Sequence, residues 1–267
     1  IALERANLVP NDIDMIVFAT LSPDMYFPGG GVEVQEMMGM RTIPALDVRN
    51  QCTGFVYALS VADQFIKTGM YNNVLVIGSE NHSGGLDMTT RGRSVSVIFG
   101  DGAGAVLLEP TEENLGIQDS ILYSDGAGKK HLYQKAGGSV SPASEETVKN
   151  REHFVYQEGQ PVFKAAVTGM ADVSAEIMEK NNLSSEDVAW LVPHQANFRI
   201  IKATAKKLSM PIDKVVLTLD RHGNTSAASV PIALDEAVSD GRIQRGQLVL
   251  LEAFGGGFAW GSALVRF

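Results

Sequence analysis

The sequence has a single cysteine in 267 residues and no uninterrupted apolar run near the roughly 18 residues that a membrane-spanning helix needs. One thiol excludes an internal disulfide framework and any zinc site built from several thiolates, so Cys52 has to be judged by its own surroundings. Positive charge is scarce as well. The 22 Lys and Arg against 31 Asp and Glu leave a formal charge of −9, which disfavours the broad basic footprint of a nucleic-acid binder. An anionic partner therefore needs a local basic patch. The opening IALERANLVPND lacks the basic start and apolar core of a signal peptide, and the sequence reads as cytoplasmic. What is present is globular: 45% hydrophobic and 20% charged residues argue against disordered, collagen-like or coiled-coil classes. The length suits one large or two smaller domains with more than one buried layer.

The chain resembles itself. Asn7 to Val17 aligns with Asn182 to Val192, each giving a helix end, a polar turn and an apolar strand. In the same order, Asn73 to Gly78 aligns with Gln247 to Glu252, and Gly102 to Leu108 with Gly261 to Phe267. Three matches in register order indicate a divergent duplication. Short apolar strands alternate with helices within each copy, the pattern of layered α/β architecture. Phe55, Leu59, Ala62 and Ile66 recur at helical spacing until Thr68-Gly69 stops the run, and Phe163, Val167, Met170, Val173 and Ile177 do the same in the second half. Ala58 and Val61 extend the first helix's apolar surface almost all round, so it is expected between two sheets. These boundaries give a first half at 1–125, a surface excursion or linker at 126–154 with glycine clusters and little apolar periodicity, and a second half at 155–267.

Cys52 lies between an apolar strand at 43–48 and that helix. A helix N-terminus and a nearby imidazole favour thiolate over thiol, lowering the pKa from the free value of about 8.5 and activating a nucleophile. A small buried hydrophobe is the competing role for a lone cysteine. His194 follows the strand Trp190 to Pro193, at the second copy's counterpart of Ala19; it suits proton transfer near neutral pH or a capped structural position. Asn224 sits in a polar turn before a helix starting near Ser226, where asparagine serves as a cap or, through its NH2 group, as an uncharged donor to a developing oxyanion. Gly100-Asp101-Gly102-Ala103-Gly104 precedes a strand instead of opening a helix, so it is no dinucleotide loop. Gly255-Gly256-Gly257 between two strands reads as a tight hairpin or as backbone N–H groups open to a reacting carbonyl.

Cys52 in its CTGF elbow, His194 in VPHQAN, Asn224 in DRHGNTSAAS and the closing LLEAFGGGFAWGSALVRF together resemble the β-ketoacyl-acyl-carrier-protein synthase III family of the thiolase superfamily. The likeness covers the chain except the stretch around Lys129 to Asn150. It implies a five-layered αβαβα sandwich built from two duplicated halves, preceded in family members by a further strand, helices and loop ahead of the equivalent of Ile1. It also implies a decarboxylative Claisen condensation that initiates type II fatty acid synthesis, with Cys52, His194 and Asn224 catalytic and the N–H groups of Cys52 and Gly256 as the oxyanion hole. Acyl-CoA and malonyl-acyl carrier protein (ACP) are the implied substrates, with no metal or redox cofactor and a homodimeric enzyme. By position, Arg91 and Arg199 match coenzyme A-binding arginines, and Phe27 matches an aromatic that reaches the partner subunit's acyl pocket. The plainer roles are surface charges and a packing aromatic.

If a helix follows His194, Arg199, Lys202 and Lys206 share one face with Lys207 beside it, a patch fit for an acidic carrier protein or simply a solvated face. Rival classes are separable. Elongating ketoacyl synthases carry a second histidine where Asn224 stands, and degradative thiolases need a second cysteine that this chain lacks. Chalcone-synthase-like enzymes share the Cys, His, Asn set but carry a different glycine motif. A cysteine hydrolase or thioesterase gives Asn224 no comparable task, and a non-catalytic binding protein would not need all three residues.

Overall fold

A computed structural model describes residues 1–267. The strands are β1 (Met15–Ala19), β2 (Ala45–Val48), β3 (Val74–Glu80), β4 (Gly102–Leu108), β5 (Gly116–Ser124), β6 (Leu132–Gln134), β7 (Val155–Gln157), β8 (Trp190–Pro193), β9 (Leu248–Gly255) and β10 (Ala259–Arg266). The α-helices are α1 (Ala2–Arg5), α2 (Gly30–Met37), α3 (Gly54–Lys67), α4 (Arg93–Ser96), α5 (Glu145–Lys149), α6 (Gly159–Lys180), α7 (Phe198–Lys207), α8 (Leu219–His222) and α9 (Ser229–Ser239).

One sheet has the order β2-β1-β3-β4 and a second the order β5-β10-β9-β8. β1 runs parallel to β3 and β3 antiparallel to β4; β8 runs parallel to β9 and β9 antiparallel to β10. The three sequence matches therefore occupy equivalent topological positions, β1 with β8, β3 with β9 and β4 with β10. α3 and α9 pack between the sheets, α1 and α2 cover the outside of the first, and α6 covers the outside of the second with α7 packed against it. This is the expected five-layered sandwich.

Each layer boundary has its own apolar core. The central one joins Val17 and Val76 of the first sheet, Phe55 and Leu59 of α3, Val230 and Ala233 of α9, and Val249 and Leu251 of the second sheet. Phe55 has no solvent exposure, and truncating a side chain so enclosed costs about 3–5 kcal/mol. Ile13, Ile16 and Leu75 pack beneath α1, while Ile177, Leu191, Ile201 and Leu250 tie α6 and α7 to the second sheet. α3 ends at Thr68 with Gly69 at φ +72°, as its apolar spacing predicted.

The stretch 126–154, read as a surface excursion or linker, carries regular structure that its sequence did not announce. It contains α5 and the strand β6, which pairs antiparallel with β7 as a ribbon. Its order comes from distant contacts. Asp125 and Phe258 exchange backbone hydrogen bonds at 2.8 and 2.6 Å, and Gly128 lies so close to Phe258 that a Cβ there would fall 2.4 Å from the ring. Local periodicity carries no trace of such pairing.

Candidate active site

Cys52 sits in a 3₁₀ turn, Gln51–Thr53, that leads directly into α3. The turn is tight: Thr53 Oγ1 donates to Asn50 O at 2.6 Å, and Gln51 takes a left-handed φ of +47°. Non-glycine residues in that region cost about 1–3 kcal/mol and persist where the surroundings dictate them. Gly54 lets α3 begin between β1 and the turn 226–228, since a Cβ there would lie 3.2 Å from Ala19 Cβ and 3.3 Å from Ala227 Cβ. Gly255 faces the cysteine from β9, where a Cβ would lie 2.9 Å from Cys52 N.

The expected depression of the thiol pKa is overturned. Cys52 is 6% exposed, and burial pushes its pKa up to about 12, with the nearby Glu80 carboxyl adding to the rise. Desolvation of a charged sulfur outweighs the field of the helix end. His194 supplies no compensating charge, because burial pushes it down to about 3 and its imidazole is neutral. The resting sulfur is a thiol.

His194 follows β8 directly, and its backbone N–H donates to Glu252 O at 2.8 Å, fixing it against β9. Its Nδ1 lies 2.6 Å from Ser229 Oγ at the start of α9. The same Ser229 hydroxyl also lies 2.9 Å from Ser226 O, and when it turns from that carbonyl to donate to Nδ1, the proton of the neutral ring sits on Nε2, the tautomer that presents an N–H donor. Asn224 is held by backbone bonds, its N–H to Ile98 O at 2.9 Å and its O from Gly100 N–H at 3.0 Å. Its Oδ1 accepts from Ser226 N–H at 2.9 Å, which leaves the NH2 end free to donate.

Cys52, His194 and Asn224 all line one cavity of about 270 Å³. Its other walls include Ile98 and Phe99, Val162 and Met170 of α6, Ile200 of α7, Phe254 of β9, and Leu132 of the ribbon. Gly255 lines it, and a Cβ built on the next residue, Gly256, would lie 3.2 Å from Leu132 O. Arg91 and Arg199 are exposed and are not among the lining residues, though each lies within three residues of one in sequence. Phe27 is 81% exposed beside Tyr26 at 74%, and neither belongs to the cavity of its own chain.

α7 starts at Phe198, later than the expected helix from His194, with Asn197 Oδ1 capping Arg199 N–H at 2.8 Å. Arg199, Lys202 and Lys206 are exposed and without an acidic partner, whereas Lys207, also exposed, pairs with Asp172 at 3.2 Å. Sequence reasoning missed Leu132, Ser229, Ser226 and His82 at this site. The phrase NTSAAS held a signal for the serines, being hydroxyl-rich beside a candidate donor; nothing local marked Leu132 or His82. No group of three or more His, Cys, Asp or Glu side chains is placed to hold a metal ion.

Two repeated halves in five layers, with a thiol, an imidazole and a carboxamide brought together where they meet, mark a condensing enzyme of the thiolase fold. Residues 46–126 match the family described as 3-oxoacyl-[acyl-carrier-protein (ACP)] synthase III, and residues 178–267 match its C-terminal counterpart. The β-ketoacyl-acyl-carrier-protein synthase III of Aliivibrio fischeri is 54% identical over 267 residues, covering 100% of this chain and 81% of that protein. The crystal structure of the Aquifex aeolicus 3-oxoacyl-acyl-carrier-protein synthase III superposes with a TM-score of 0.90 at 41% identity, over 100% of this chain and 81% of that one. A priming β-ketosynthase from a polyketide pathway superposes at 0.88 with 32% identity, over 99% and 78%. The chain belongs to the β-ketoacyl-acyl-carrier-protein synthase III family, acyltransferase-type condensing enzymes of fatty acid synthesis.

Proposed function

We propose that Cys52 carries the acyl group in a two-stage condensation and that His194 and Asn224 serve the second stage. In the first, the Cys52 sulfur attacks the thioester carbonyl of an acyl-CoA, and the tetrahedral oxyanion is held by the N–H groups of Cys52 and Gly256 as coenzyme A leaves. Gly255 permits this approach, since any side chain there would press on the Cys52 backbone. In the second stage, malonyl-ACP enters the same cavity. His194 Nε2–H and Asn224 NH2 donate to its thioester carbonyl while CO2 departs, stabilising the enolate. Neutrality suits His194 to this, because the enolate needs a donor and not an acid that would quench the carbanion. The carbanion attacks the acyl-cysteine carbonyl and yields a β-ketoacyl-ACP. Loss of CO2 drives bond formation, so no cofactor enters the scheme.

Arg91 and Arg199 are assigned to the coenzyme phosphates at the cavity mouth, and Arg199, Lys202 and Lys206 to the carrier protein, without Lys207. Phe27 is assigned to the acyl pocket of a second subunit, in a cytoplasmic homodimer. The observation that carries the reading is the convergence of Cys52, His194 and Asn224 on a single cavity. Intact-protein mass spectrometry after exposure to a panel of acyl-CoAs tests it: one acyl adduct, lost in Cys52→Ser, is expected, and an adduct that survives the substitution contradicts it.

A further inference from the structure

A buried thiol that attacks a thioester has to dispose of one proton, and the acyl-enzyme scheme above names no group that takes it. His194 makes no hydrogen bond to the sulfur. The one side-chain partner of Cys52 Sγ is Ser226 Oγ, at 3.4 Å. Ser226 Oγ lies 2.9 Å from His82 Nε2, and His82 Nδ1 lies 2.8 Å from Gly100 O. The directions of these bonds follow from elimination. A carbonyl oxygen only accepts, so Nδ1 carries a proton, and an imidazole with one proton carries it there. Nε2 is then an acceptor, the Ser226 hydroxyl donates to it, and the Ser226 oxygen is left to accept from the thiol. Every donor points away from the sulfur and toward the imidazole.

Resting on the reading of Cys52 as nucleophile, we propose that His82, acting through the Ser226 hydroxyl, takes up the Cys52 proton as the sulfur attacks its acyl donor. While the bond from Sγ to the acyl carbon forms, the thiol proton moves to Ser226 Oγ and the serine's own proton moves to His82 Nε2. When the tetrahedral intermediate collapses, the bond between the acyl carbon and the coenzyme sulfur breaks. The departing sulfur then recovers a proton through Ser226, leaving acyl-Cys52, free coenzyme thiol and a neutral His82. His82 touches no substrate and is a positioning residue for the proton.

The surroundings of the ring support this use. Both halves of the chain build the relay, His82 and Gly100 from the first, Ser226 from the second. Ser226 is held at a left-handed φ of +45°, a strained placement that keeps its hydroxyl between the two groups. The ring packs on Phe99 with centroids 4.9 Å apart, which fixes its plane. Two acidic side chains flank His82: Glu80 at the end of β3, whose pKa burial raises, and Asp101, whose Oδ1 accepts from the His82 backbone N–H at 2.7 Å. Cys52, through Ser226, and His194 are titratable neighbours as well. His194 stays neutral, and a charge on His82 would hold it so.

Quenched single-turnover acetylation by acetyl-CoA, followed by intact mass from pH 6 to 10, tests the relay in wild type, Ser226→Ala and His82→Gln. Glutamine keeps one donor and one acceptor but cannot hold an extra proton, so folding is preserved. At pH 7 both variants should acetylate about 10²-fold more slowly. Their rates should climb tenfold per pH unit as hydroxide takes over, so the gap to the flatter wild-type profile closes toward pH 10. Release of CO2 from malonyl-ACP by pre-acetylated enzyme should fall far less in His82→Gln than acetylation does. A wild-type pH profile in the variants, or a deficit of equal size at every pH, overturns the relay and leaves these residues a packing role. Failure of the underlying reading is seen separately, as an acetyl adduct on Cys52→Ser.

Discussion

Burying a thiol at the start of a helix sets the helix field against desolvation, and at Cys52 desolvation wins. The same contest governs the other buried groups. His194→Ala and Asn224→Ala should leave acylation of Cys52 largely intact but cut CO2 release from labelled malonyl-ACP by about 10²-fold or more, the usual loss for one oxyanion donor. Equal loss of both half-reactions would instead assign them to organising the thiol. Glu252, fully buried on β9, has its pKa raised by burial to about 8, against the lowering effect of a Ser174 Oγ–H bond to Oε2 at 2.6 Å; Oε1 has no partner. Between pH 4.5 and 8 the folded state thus holds a proton that the unfolded chain has released, and stability declines as pH rises through that window. His194 acts in the opposite sense: its folded pKa near 3 lies below the unfolded value of 6.5, so stability declines as pH falls between them. Each slope reaches at most about 1.4 kcal/mol per pH unit. Glu252→Gln keeps the Ser174 contact without the titration, so thermal midpoints measured from pH 6 to 9 should fall less steeply than in wild type.

Between elements, close approach matters more than side-chain identity. A Cβ on Gly78 of β3 would lie 2.4 Å from Ala227 O, in the turn that carries Ser226. Gly78→Ala should therefore displace that turn, costing about 1–3 kcal/mol by overpacking and slowing acylation as well. Urea denaturation and the acetylation assay check the two effects separately, and a variant with unaltered stability and rate would show that the turn is not held there. These contacts also mark the limit of what the sequence discloses. The duplicated strands, the buried α3 and the three residues at strand or helix ends are legible because hydrophobic spacing and turn chemistry are local. The thiol's protonation is not, since it depends on burial by β9 and the turn 226–228. Leu132 and His82 are equally hidden. Each reaches the site through pairing with residues more than 100 positions away, Leu132 via the Asp125 to Phe258 bonds and His82 via Ser226.

At the scale of the whole molecule, two exposed features lack a partner within the chain. The loop with Met25, Tyr26 and Phe27, 51%, 74% and 81% exposed, lies near the free edge of the first sheet, where β2 bears the exposed Leu46. Three large apolar side chains left in water suit burial against a second copy, and sedimentation should give an active dimer; an active monomer at assay concentration contradicts it. The second feature is the basic face of α7. On a chain of net charge −9, Arg199, Lys202 and Lys206 have no acidic partner, and a local field of this kind steers an acidic protein more than it tightens a small ligand. Lys206→Glu should raise the apparent KM for malonyl-ACP by about tenfold at low salt, an effect that shrinks as the Debye length falls from about 10 Å at 0.1 M to about 3 Å at 1 M. Lys207→Glu should do less, because Lys207 already shares its charge with Asp172. Acylation of Cys52 by acetyl-CoA should be nearly unchanged in both. Equal damage to both substrates would make the patch a coenzyme site, and damage to neither would leave the lysines as ordinary solvated charges.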